Sequence, residues 1–107
     1  MSEKVSNGFE IVQSLIKLRW IPEILKSIKL GNRHYSQIIR SIPYLSHTEL
    51  NRKLNVLIEK GVIVRIQQGN SIYYNLLEFG DDLVHIFEHL EDIQEKYCNI
   101  SQNGRIQ

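Results

Sequence analysis

The chain has 107 residues, the size of one ordinary domain, with 42% apolar residues and a net charge of +1. Its single cysteine, Cys98, excludes an internal disulfide; no run of about 18 apolar residues is present to cross a bilayer; and the polar opening MSEKVSNG lacks a leader-peptide core, so a cytoplasmic protein is expected. The charge is unevenly spread: residues 1–70 hold 11 Lys and Arg against 5 Asp and Glu, and residues 71–107 hold 2 against 7, a basic body with an acidic tail that suits a polyanionic partner.

Residues 1–8 are polar and are expected to be disordered. A first helix is expected from Phe9, with Phe9, Val12, Leu15 and Ile16 at helical spacing. Pro22 suits the first turn of a second helix whose buried stripe is Ile21, Ile24, Leu25 and Ile28, and Gly31-Asn32 ends it. A short third helix runs from about Ser36 to Pro43 with Ile38, Ile39 and Ile42 inward; Tyr35 anchors the chain just before it, in a short strand. Residues 44–61, YLSHTELNRKLNVLIEKG, carry the best-marked helix. Ser46 and Glu49 have the spacing of a capping box, Leu45 and Leu50 that of a hydrophobic staple. Leu50, Leu54, Leu57 and Ile58 make the apolar stripe and Gly61 is the stop.

VIVRIQ (62–67) and IYYNL (72–76) are rich in β-branched and aromatic residues, and QGNS between them contains turn residues, which predicts a hairpin. Val62, Val64 and Ile66 are expected on one face, opposite Ile72, Tyr74 and Leu76. A last helix is expected over 81–98, followed by a loose tail, 99–107. The predicted fold is mainly α with a small β-hairpin, one domain over 9–98, and the order of elements is that of a winged helix-turn-helix. Its fourth helix would enter a DNA major groove and its hairpin would be the wing.

The segments LIKLRWIPEIL, HYSQIIRSIPYLSHTELNRKLNVLIEKGVI and YYNLLEFG resemble the HxlR-type transcriptional regulators, a winged-helix branch near the MarR type. The matching features are Arg19-Trp20 before the second helix, Tyr35-Ser36 opening the third, and Pro43-Tyr44-Leu45-Ser46 before the fourth. Leu57 to Gly61-Val62 closes that helix, and Tyr74, Leu76 and Gly80 follow. The resemblance covers roughly residues 12–95 and implies a bacterial homodimeric regulator of transcription. Two departures stand out. The region around Asn7-Gly8 has no cysteine of the kind some members use for redox sensing, and the wing is short and proline-free.

The residues that fit contacts to double-stranded DNA are Ser46, His47, Thr48, Asn51, Arg52, Lys53 and Asn55 on the fourth helix, with Arg33, His34 and Ser36 before and at the start of the third and Arg65 on the wing. Asn and Arg can pair with base edges, and Ser, Thr, Lys and Arg can hold phosphates. The apolar stripe of the acidic last helix needs a partner, either its own domain or a second copy lying beside the first helix. The expected dimer residues are Phe9, Val12, Leu83, Phe87, Leu90, Ile93 and Tyr97. His85 and His89 have metal-ligand spacing but no third ligand, so neither metal nor cofactor is expected. No phosphate-binding glycine loop, metalloprotease motif or nucleophile elbow is present, so no enzymatic activity is expected. Three other readings fit the residues: a protein-binding winged-helix module, a ligand-responsive regulator with an effector pocket lined by Trp20, Phe87 and Tyr97, and, against the expectation of no metal, a metal sensor using His85 and His89.

Overall fold

Isoleucines and leucines repeated at three- and four-residue intervals decide where the helices meet. The computed structural model describes residues 5–99, with side chains over 10–98. The elements are α1 (Val5–Ile16), α2 (Ile21–Lys29), α3 (Tyr35–Ser41), α4 (His47–Glu59), β1 (Ile63–Gln68), β2 (Ser71–Leu76) and α5 (Glu78–Gln94), the last continued by one π turn, Glu95–Asn99. Helices and a two-stranded antiparallel hairpin in this order make a winged helix-turn-helix. α1 begins at Val5, four residues before Phe9, so residues 5–8 are helical. The side chain of Phe9 and the tail from residue 100 lie outside the described residues.

The α2 stripe Ile21, Ile24, Leu25 and Ile28 is buried throughout, and Ile38 of α3 and Leu50, Leu54 and Leu57 of α4 meet it in one core. Each fully buried side chain of this kind contributes about 1.5–3 kcal/mol. Both helix stops are closed by paired backbone bonds. On α4, Gly61 N–H donates to Ile58 O (3.1 Å) and Val62 N–H to Leu57 O (2.9 Å). Gly61 sits at φ 75°, the left-handed conformation this closure requires. On α2, Gly31 and Asn32 donate in the same way to Ile28 and Ser27.

Tyr35 is the first residue of α3 rather than part of a strand. Strand pairing occurs one residue earlier, as a single bridge between His34 and Tyr73, and Tyr74 N–H donates to Arg33 O at 2.9 Å. The chain entering the third helix is thereby fastened to the wing.

The hairpin forms, but its faces differ from the expectation. The loop is two residues, Gly69-Asn70, and Gln68 pairs with Ser71. That register puts Ile63 opposite Leu76, Val64 opposite Asn75, Arg65 opposite Tyr74 and Ile66 opposite Tyr73. Side chains directly opposite share a face, so Val64 and Ile66 lie with Tyr73 and Asn75, while Tyr74 and Leu76 lie with Ile63. A two-residue turn sets this parity, and a shift by one residue would exchange the faces.

α5 starts at Glu78 and takes Gly80 into its first turn. A Cβ at Gly80 would collide with the Val62 carbonyl oxygen, which accepts Leu77 N–H at 3.0 Å. Only glycine allows the helix to start this close to the strand. Leu83, Val84 and Phe87 are buried in the core; Lys26–Glu91 (2.9 Å) and Lys29–Asp81 (2.7 Å) join α2 to α5 at the surface.

Candidate nucleic-acid interface

The outward side of α4 is built by its periodicity. Thr48, Asn51, Arg52 and Asn55 stand three and four residues apart and all are exposed. Among the described residues, Arg52 makes no ion pair, which leaves its planar donor fork free. Ser46 caps the helix, its Oγ accepting Glu49 N–H at 3.1 Å. The reciprocal half of the expected box is replaced: Glu49 Oε1 takes a bond from Lys53 Nζ at 2.7 Å. That bond holds the Glu49 carboxyl below its ordinary range.

Lys53 is therefore not part of the open face. It is 7% exposed and ion-paired within its own helix. The reason lies in its position: residue 53 is three after Leu50 and four before Leu57, inside the apolar stripe. Its stem is buried among leucines and its ammonium neutralises Glu49 at the edge.

His47, the first residue of α4, is exposed and pairs with Tyr35, the first residue of α3. Their ring planes are 13° apart with centroids separated by 5.6 Å, and the phenol oxygen lies 2.9 Å from His47 Nδ1. Burial raises the Tyr35 hydroxyl above its usual pKa, with a hydrogen bond to the Asn51 side chain opposing the rise. His34 is exposed, with its Nδ1 3.0 Å from Ile72 O and its ring edge-on to Tyr73. Gln37 Oε1 accepts the N–H groups of both Arg33 and His34, each at 3.1 Å, which caps α3. Arg33, Ser36 and Arg65 are exposed, Arg65 on the wing opposite Tyr74.

Two residues of this region escape sequence reasoning. The sequence marks Tyr35 only as an anchor, and its bond to a histidine twelve residues away has no local signal. Tyr44, in the turn before α4, is 97% exposed with φ 68°, a left-handed conformation rare for an aromatic residue. The Pro43 and Leu45 beside it mark a turn but not its hand.

The last helix has two apolar sides. Leu83 and Phe87, expected at a dimer contact, are 0% and 8% exposed in the chain's own core, and Val12 is half-buried against the same core. A second stripe, Ile86, Leu90, Ile93 and Tyr97, is open to solvent, as is Ile11 on α1. The three residues expected around an effector are separated. Phe87 lines a crevice of about 90 Å³ with Pro22, Lys26, Val84 and Glu91; Trp20 borders another groove with Ile16 and Arg19; Tyr97 is exposed beyond both. His85, His89 and Cys98 are exposed, and no group of three metal-ligating residues forms among the described residues.

An HxlR-like helix-turn-helix family model matches residues 15–102. No curated protein matches the chain. Among solved structures, the reduced form of the transcriptional regulator YodB from B. subtilis is similar at 24% identity, with 92% of this chain and 95% of that one covered and a TM-score of 0.74. A protein described as a MarR-family transcriptional regulator from Enterococcus faecalis V583 is similar in fold at 16% identity, with 98% and 96% covered and a TM-score of 0.80. A protein described as an HxlR-family transcriptional factor from Thermoplasma volcanium GSS1 shares 25% identity over 78% of this chain and 82% of its own, with a TM-score of 0.61.

Proposed function

The chain belongs to the HxlR-like helix-turn-helix family of transcriptional regulators, and on that premise we propose that it acts in the cytoplasm as a homodimer that binds a near-palindromic operator. The observation that carries this reading is the outward face of α4, where Thr48, Asn51, Arg52 and Asn55 are exposed together between the helix-turn and the wing. Asn51 and Arg52 have the donor geometry to read base edges in a major groove. Arg33, Ser36, Ser46 and Arg65 supply phosphate contacts that orient the domain without reading sequence. The dimer is formed by the open stripe Ile86, Leu90, Ile93 and Tyr97, with Ile11 as its complement on α1. Two α4 helices about 34 Å apart would then meet successive major grooves of one duplex.

Selection of bound duplexes from a random pool, followed by titration at two salt concentrations, tests the reading. A two-fold symmetric motif is expected, with affinity falling by about a thousandfold or more from 50 to 200 mM salt if some six or more phosphates are contacted. Failure to enrich any sequence, or binding insensitive to salt, overturns it.

A further inference from the structure

We propose that Tyr35 is a positioning residue for His47, setting the imidazole so that its Nε2–H is presented to an acceptor on duplex DNA. The inference rests on the DNA-binding reading and goes beyond it by assigning a donor and the group that orients it.

The phenol has one proton; the Asn51 side chain also reaches the hydroxyl, and of the two His47 acceptors Nδ1 at 2.9 Å is nearer than the carbonyl oxygen at 3.4 Å. Given to the nearer one, it makes Nδ1 an acceptor. A neutral imidazole carries a single N–H, so its proton then resides on Nε2, the nitrogen farther from the backbone. Tyr35 is half-buried and packs against the hydrophobic core, so its hydroxyl has a fixed place, whereas His47 is exposed and would otherwise rotate and exchange tautomers. Nε2 has no hydrogen-bond partner among the described residues. Phosphate oxygens, and O6 and N7 of guanine, are acceptors only; an Nε2 without a proton would repel them, and an Nε2–H bonds them. The same phenol therefore orients the ring and decides the sign of its outward dipole.

The test combines ring-nitrogen NMR of His47 with affinity for the selected operator duplex, in the unaltered protein, Tyr35→Phe, His47→Gln and the double variant. The glutamine amide N–H reaches outward as Nε2–H does and has no tautomer to set. The unaltered protein should show the Nε2–H pattern and Tyr35→Phe a mixture of tautomers, with affinity about three- to tenfold weaker, the scale of one hydrogen bond. In the His47→Gln background, Tyr35→Phe should cost nothing further. A loss equal across all sequences assigns the acceptor to phosphate, and a loss at one base position assigns it to a base edge; either supports the proposal. An unchanged tautomer in Tyr35→Phe overturns it, as does an equal loss in the His47→Gln background, which would mark a purely structural tyrosine. Melting temperatures of all four proteins separate these results from unfolding. Absence of DNA binding by the unaltered protein overturns this inference together with the parent reading, whereas tight operator binding by Tyr35→Phe overturns this inference alone.

Discussion

Arg52 and Lys53 are neighbours in sequence and face opposite environments, one open to solvent and the other 7% exposed. Arg52→Ala is expected to weaken operator binding by about 1–3 kcal/mol and to relax preference at one base position, as read by competition among single-base operator variants. A uniform loss would make it a phosphate contact. Glu49 gives a pH prediction. Its carboxyl is held low by the Lys53 hydrogen bond, so below its ordinary value of 4.5 the unfolded chain binds more protons than the folded one. Its stabilising contribution is complete above that pH and is lost as pH falls toward the depressed folded value. Urea titrations between neutral pH and pH 3 should show a shallower acid loss for Glu49→Gln than for the unaltered protein. Tyr44 makes the opposite kind of prediction. Relief of its left-handed backbone by Tyr44→Gly is worth about 1–2 kcal/mol, less about 0.5–1 for glycine's greater freedom in the unfolded chain. The variant should melt a few degrees higher.

At the scale of elements, the junction of β2, α5 and the end of α4 is the least forgiving place in the fold. Gly80 faces the Val62 carbonyl and the side chain of Leu76, so an added methyl must displace backbone as well as side chain. Gly80→Ala is expected to destabilise by about 1–3 kcal/mol, despite alanine's better helix propensity, as measured by denaturant midpoint. The hairpin illustrates a different control. Both strands were legible from their β-branched and aromatic residues, but Val64 and Ile66 could share a face with Tyr74 and Leu76 only across an odd turn, and the turn is even, the pairing being the same whether it is counted as two residues or four. Helix α5 shows the same division. Its apolar residues were legible, yet Leu83 and Phe87 turn inward while Leu90, Ile93 and Tyr97 turn outward, and only packing on α2 separates the two sets.

Over the whole molecule, charge is redistributed by folding. Lys26 and Lys29, part of the basic body in sequence, are paired with Glu91 and Asp81 of the acidic helix. These solvent-exposed pairs add little to stability; they neutralise two cations of the basic body, while Arg33, Arg40, Arg52 and Arg65 stay exposed. The open α5 stripe carries the remaining prediction. Leu90→Glu introduces a charge at a position 46% exposed in one chain, so the monomer fold should keep its circular dichroism. Sedimentation should show a shift from dimer to monomer, and operator affinity should fall with the loss of the second α4. A variant that remains dimeric removes this stripe from the interface.

What the sequence determined by itself was the set of elements, their order and the inward residues of α2, α3 and α4. These depend on helical period, caps and turn residues, all of which act within four or five positions along the chain. The outward placement of Thr48, Asn51, Arg52 and Asn55 followed from the same period, and Lys53 could have been excluded by applying it more strictly. Tertiary structure alone decided the Tyr35–His47 bond, the enclosure of Gly80 and the two sides of α5. Each of these joins groups distant in sequence, and their distances are set by how the packed elements cross, which no local pattern encodes.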